Sequence, residues 1–195
     1  MEHQHINLEE DMEFIRQLYT DVGRSNKDTL SKMMRGDLDV KRGLRNADGT
    51  GVMVGYTQVG SVIGYSILDG ERIPMEGQLS YSGYNVTDLI EGYQQEGRFG
   101  FEEVAYLLLL RKLPNAAELE RFKNFLYDHM PLPNNFTEDM ILKHPTRDVM
   151  NQLGRAVLAL YSADPDPDCT SLENMVSQCV QLIARFPTII AHSYA

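Results

Sequence analysis

The chain has 195 residues, 43% of them apolar and 24% charged, enough for one sizeable domain or a large piece of a bigger one and far from disordered or collagen-like compositions. Lys plus Arg number 18 and Asp plus Glu 28, a net charge of -10, which argues against a nucleic-acid-binding face but leaves room for a local basic pocket. Apolar runs such as Val104 to Leu110 are too short to cross a bilayer, and Met1-Glu2-His3-Gln4-His5 lacks the features of a signal peptide, so a soluble cytoplasmic protein with no membrane partner is expected.

Asn7 to about Tyr19 reads as a helix, with Leu8, Met12, Ile15 and Leu18 at helical spacing and Asn7 with Glu10 as a capping pair. Thr29 to Met34 reads as a second, short helix, followed by an irregular, Gly-rich stretch from Gly36 to Gly51. Val52 to Tyr84 has a different texture: Val52, Val54, Tyr56, Val59, Val62, Ile63, Tyr65 and Ile67 are β-branched or aromatic. Turn signals at Gly60-Ser61, Asp69-Gly70 and Glu76-Gly77 divide it, which predicts two or three short antiparallel strands.

From Asn85 onward the pattern is helical. Thr87 to Glu91 suits a short helix, and Gly100 to Lys112 a buried one, because Val104 through Leu110 is apolar nearly all round. Pro114 ends it. Asn115 with Glu118 forms a capping box for the next helix, whose inner face is Leu119, Phe122, Phe125, Leu126 and His129. Thr137 opens a short helix ending near His144-Pro145, and Thr146 to Ala163 the next, with Val149, Met150, Leu153, Val157, Leu160 and Tyr161 as its stripe. Asp164-Pro165-Asp166-Pro167-Asp168 breaks the chain, and Thr170 with Glu173 reads as another capping box. Pro187 falls inside this last helix, where a kink is expected. Ile189 to Ala195 ends in mid-pattern, with no Gly or basic turn to close the helix, which reads as a cut end.

Several segments in register point to a family. Val40-Lys41-Arg42-Gly43-Leu44-Arg45 and Gly49-Thr50-Gly51-Val52 resemble the lead-in of clostridial-type citrate synthases. Gly77-Gln78-Leu79-Ser80-Tyr81-Ser82-Gly83-Tyr84-Asn85 through Leu89 resembles that family's "G-x-L-x-Y-R-G-Y-x-I-x-D-L" segment. Phe101-Glu102-Glu103-Val104-Ala105-Tyr106-Leu107-Leu108-Leu109, with Leu113-Pro114, resembles its "F-E-E-V-A-Y-L-L-L-x-G-x-L-P" segment. His144-Pro145 is similar to its "H-P-M" helix start, and Leu182-Ile183-Ala184-Arg185-Phe186-Pro187-Thr188 to its "L-I-A-x-x-P-T" segment. Ser82, Arg111 and Thr146 depart from the pattern, standing where Arg, Gly and Met are usual.

The resemblance implies a mainly α fold: a citrate synthase-like large-domain fragment, a helical bundle with a small antiparallel β-hairpin region near residues 52–84. It divides the chain into an N-terminal extension and Gly-rich lead-in over 1–50, the hairpin region over 51–84 and a helical part of the large domain over 85–195. The implied activity of the parent enzyme is condensation of acetyl-CoA with oxaloacetate to citrate and CoA, by an Asp base and two His donors without a metal. A carbon acid is too weak for a carboxylate to ionise alone, so a donor must stabilise the enol as it forms. A 2-methylcitrate synthase using propionyl-CoA is one alternative, and a non-catalytic helical interaction module another. The family's catalytic "H-G-G-A-N" and "G-H-R" segments do not occur in the 195 residues, so no catalytic residue is assigned and this piece is expected to be inactive.

Among individual residues, the basic cluster Lys41, Arg42 and Arg45 is the candidate site, three cations in a Gly-rich stretch suited to the phosphates of an acyl-CoA substrate; a solvated basic loop explains it equally well. No cofactor is expected to be held permanently. His3 and His5 read as solvated, His129 as a helix-end cation, His144 as a helix-entry residue and His192 as a core or inter-domain histidine. Asp164, Asp166 and Asp168 alternate as in a calcium loop but lack its Gly and terminal Glu, so no metal is expected. Cys169 and Cys179 read as ordinary thiols. The apolar stripes of the Thr137 and Thr146 helices, which the family packs across a two-fold axis, point to a homodimer.

Overall fold

The computed structural model describes residues 13–18, 20 and 59–194. The short helix expected over Thr29–Met34, the residues Val52, Val54 and Tyr56, and the basic cluster Lys41, Arg42 and Arg45 lie outside the described residues. Among the described residues the architecture is mainly helical with one small three-stranded antiparallel sheet of order β1-β2-β3. In chain order the elements are helix α1 (residues 13–18 and 20), strands β1 (Gly60–Leu68), β2 (Glu71–Tyr81) and β3 (Tyr84–Asn85), and helices α2 (Val86–Gln95), α3 (Phe101–Leu110) and α4 (Ala116–His129). A π-helical turn (Thr137–Leu142), α5 (Val149–Leu160), a 3-10 turn (Tyr161–Ala163) and α6 (Leu172–Tyr194) follow. The described residues fall into two compact units, one made of α1 and the residues from Glu120 onward, the other of those up to Leu119.

In the second unit, β1 and β2 form one long hairpin. Of the three expected turns, only Asp69-Gly70 closes strands: Leu68 pairs with Glu71 across φ values of 52° and 84°, as a type I′ turn requires. Gly60-Ser61 instead opens β1, where an extended backbone suits both residues. Glu76-Gly77 lies within β2, at an irregularity: the pairing passes from Ile63↔Gln78 to Tyr65↔Pro74, so Met75, Glu76 and Gly77 face Gly64 alone. The turn signal there was real, but the cross-strand pairs on either side turned it into a bulge. Ser82-Gly83 makes a second two-residue turn, with φ values of 48° and 91°, and the Ser82 N–H donates to the Val59 carbonyl at 2.7 Å. Ser82, at the family's usual Arg position, thus bends backbone, and its hydroxyl is buried with no hydrogen-bond partner among the described residues.

Helix α2 starts one residue before Thr87 and runs to Gln95, past the expected end at Glu91; Asn85 caps it by accepting from the Thr87 N–H at 2.9 Å. Helix α3 buries Tyr106, Leu107 and Leu110 and stops at Leu110, ahead of the expected Lys112. Arg111 ends it, in the left-handed conformation at φ 61° with its N–H donating to the Leu107 carbonyl at 2.7 Å. A left-handed residue is the common way to close a helix, and glycine is its usual occupant. That explains the glycine of the resembled pattern, and Arg111 takes the same backbone geometry at a steric cost.

The capping box at Asn115 is present in both directions. The Glu118 N–H donates to Asn115 Oδ1 at 2.9 Å and the Asn115 N–H to Glu118 Oε2 at 2.8 Å, while Lys112 Nζ donates to Glu118 Oε1 at 3.0 Å. The Asn115 N–H, helped by Lys112, holds the Glu118 carboxyl below its ordinary range despite partial desolvation. A carboxyl whose pKa is lower folded than unfolded stabilises the fold above the unfolded value and stops doing so as pH falls through the folded one. Wild type is therefore expected to lose part of its stability as pH falls below 4.5, and Glu118→Gln to lose less over the same range. Urea melts of both proteins at pH 7 and pH 3 check this.

In the first unit, Phe122, Phe125 and Leu126 of α4 are buried as expected, with Phe14 of α1 tilted against Phe125 at 5.2 Å and against Phe122 at 6.5 Å. Phe14, Ile15 and Leu18 are the buried face of α1. A second cluster gathers Phe136, Ile141, Ala156, Leu160 and Ile189, with Leu132, Leu153, Ala159 and Leu182 packed against it.

From Thr137 onward the structure departs from the sequence reading in further boundaries and in one face. The Thr137 helix is a single π-helical turn. Helix α5 starts at Val149 and not Thr146, because Asp148 is its cap, accepting from the Asn151 N–H at 3.1 Å, while the Thr146 hydroxyl accepts from the Asp148 N–H at 3.2 Å. Ser171, not Thr170, caps α6 by accepting from the Asn174 N–H at 3.2 Å, and Glu173 pairs with Arg16 at 3.5 Å. The buried face of α5 is Gln152, Ala156 and Leu160, whereas Met150 is 74% and Tyr161 53% exposed. Helix α6 continues through Pro187 and buries Val180, Ala184 and Ile189.

Candidate functional site

Among the described residues, chemistry-bearing side chains gather in three places. In the second unit, the chain between α2 and α3 is held by a charged clip. The Arg98 guanidinium lies 4.7 Å over the Tyr93 ring and pairs with Glu96 and, at 2.6 Å, with Glu103. The two carboxylates push the Arg98 pKa up, and burial, with Glu103 and Glu96 nearby, pushes the Tyr93 hydroxyl up. Gly100 presses on the same ring: a Cβ there would lie 2.2 Å from two of its carbons. Its φ of -105° suits any residue, so closeness alone requires glycine. Gly100→Ala is expected to displace the ring and cost about 1–2 kcal/mol by overpacking. A lowered urea midpoint checks it, and Tyr93→Leu in the same background should recover part of the loss.

In the first unit, Gln152 is the one buried polar side chain among the described residues, 2% exposed. Its Nε2 donates to the Met140 carbonyl at 2.8 Å, inside the π-helical turn, and its Oε1 accepts from Arg155 Nη2. Arg155 also donates to Asn151 Oδ1 at 3.1 Å and to the His144 carbonyl at 2.9 Å. The last carbonyls of a helical turn have no partner within it, and Gln152 supplies a donor to that of Met140. Beside it lies an open cleft of about 430 Å³ lined by Asn134, Asn135, Phe136, Asp139, Met140, Ala159, Ser162 and Ala163. Asp139 is already paired with Lys143.

The third place is the Asp-Pro loop. Asp164 accepts from the Asp166 N–H at 2.9 Å and from Gln178 Nε2 at 2.8 Å, and Asp168 from the Tyr161 hydroxyl at 2.8 Å. Asn174 Nδ2 donates to the carbonyls of Asp166 and Cys169, each at 3.0 Å. The aspartates here pin a loop to α6. Among the described residues no group of three or more His, Cys, Asp or Glu side chains is placed to hold a metal. On α6, burial lowers the pKa of the half-buried Arg185 and Asp164 offsets part of it; Arg185 Nε has no hydrogen-bond partner among the described residues.

The histidines stand apart from these places. His129 ends α4, with its ring stacked 4.1 Å from that of Phe125 and Nδ1 2.9 Å from the Phe125 carbonyl. His144 is exposed and precedes the α5 cap. His192, expected in a core or inter-domain position, is exposed near the end of α6. None of the three clusters sets a nucleophile against a base; each fixes backbone. Sequence reasoning missed Gln152, Arg155, Arg98 and Gly100; Gln152 sits beside a second amide, Asn151, and outside the stripe read through Met150 and Leu153, so nothing marked it.

The family model described as "Citrate synthase, C-terminal domain" matches residues 48–195. The citrate synthase of Acidithiobacillus ferridurans is 36% identical over 120 residues, 59% of this chain and 30% of that protein. The citrate synthase of Saccharolobus solfataricus is 30% identical over 134 residues, 68% of this chain and 32% of that protein. The 2-methylcitrate synthase 1 of Corynebacterium glutamicum is 28% identical over 155 residues, 80% of this chain and 35% of that protein. The chain thus spans about a third of the length of the curated relatives it matches. With the family model covering most of its residues, and its helices and small sheet fitting the expected fold, this chain belongs to the citrate synthase family.

Proposed function

We propose that the chain is the scaffold part of an enzyme that condenses acetyl-CoA with oxaloacetate, releasing citrate and CoA. The observation that carries this reading is the family match over residues 48–195. In it the acid–base residues belong to segments outside the 195, since "H-G-G-A-N" and "G-H-R" are absent from the sequence. In this reading the parent enzyme holds no permanent cofactor and acts in the cytoplasm. Among the described residues no helix is long and apolar enough to cross a membrane. Lys41, Arg42 and Arg45 bind the phosphates of the acyl-CoA. Reversing Arg42 and Arg45 to Glu in the full-length enzyme should raise the KM for acyl-CoA; an unchanged KM contradicts the assignment.

Propionyl-CoA as the substrate is the second reading, favoured by relatives named 2-methylcitrate synthase, one of them matched over 80% of the chain. Comparing kcat/KM for acetyl-CoA and propionyl-CoA in the full-length enzyme decides between them. A non-catalytic interaction module is a third reading, and a full-length protein that turns over neither thioester would favour it. The enzyme is a homodimer in this account, joined through faces that include Met150 and Leu158 of α5, which are 74% and 77% exposed and two turns apart on one side of the helix. Sedimentation should give a dimer, and a strict monomer counts against it.

A further inference from the structure

We draw no further inference here: the strongest candidate, the uncharged strand β1 (Gly60–Leu68) of the hairpin with its exposed Val62, Tyr65 and Leu68, carries nothing because nothing in the structure shows what covers it.

Discussion

Phe122→Ala is expected to cost about 3–5 kcal/mol, the range for removing a fully buried aromatic ring. Phe122 has no exposed surface, and it lies beside Phe14, which also packs on Phe125 and carries the Arg121 guanidinium 4.8 Å from its ring centroid. The contact is between segments more than 100 residues apart in sequence, and Arg121 Nη1 reinforces it by donating to Gln17 Oε1 at 3.2 Å. Truncation leaves a cavity that a close-packed aromatic cluster closes only in part. With denaturant slopes of about 1–3 kcal/mol per molar urea, the midpoint should fall by roughly 1–5 M. Phe122→Leu keeps most of the volume and should lose less than half as much. Equal losses for the two variants would show that ring volume is not what Phe122 contributes.

Gln152→Leu is expected to cost about 2–3 kcal/mol although it exchanges one buried side chain for another of similar size. The loss comes from the partners left behind: the Met140 carbonyl loses its amide donor and Arg155 loses an acceptor. Arg155→Ala keeps the Gln152 to Met140 bond; it takes the donor from Gln152 Oε1, but losing the exposed Arg155 side chain opens that oxygen to water, so the cost should be about 1 kcal/mol, below that of Gln152→Leu. Urea denaturation of both variants measures the difference. A Gln152→Leu protein as stable as wild type would mean that the π-turn does not depend on this donor.

The helical character, the small sheet, the capping box at Asn115 and the Asp69-Gly70 turn were all legible in the sequence. Each rests on residues within a few positions of one another, where backbone sterics and local hydrogen bonds decide. What was not legible depended on partners distant in sequence or on competing local options. Glu76-Gly77 looks like a turn until Gln78 and Pro74 are tied to Ile63 and Tyr65. Thr146 and Thr170 look like caps, but Asp148 and Ser171 nearby compete for the same role and win. The stripe of α5 was mis-centred because hydropathy places Met150 inside and Gln152 outside, whereas Gln152 is drawn in by the Met140 carbonyl. Gly100 gives no sign in sequence that a tyrosine seven residues earlier will lie against it.

The family was the most legible property of all, because its segments keep their order and spacing. Its chemistry was the least, because the three charged clusters of the described residues hold turns and loops in place. Arg98 clamps the approach to α3, Arg155 the approach to α5, and Asp164 the approach to α6. The central claim, that this chain supplies scaffold and not the acid–base residues, is tested most directly by thiol release from acetyl-CoA and propionyl-CoA in the presence of oxaloacetate. The account predicts that the 195-residue chain, shown helical by circular dichroism, releases CoA no faster than a control without protein. Turnover by that chain, abolished when oxaloacetate is omitted, would contradict it.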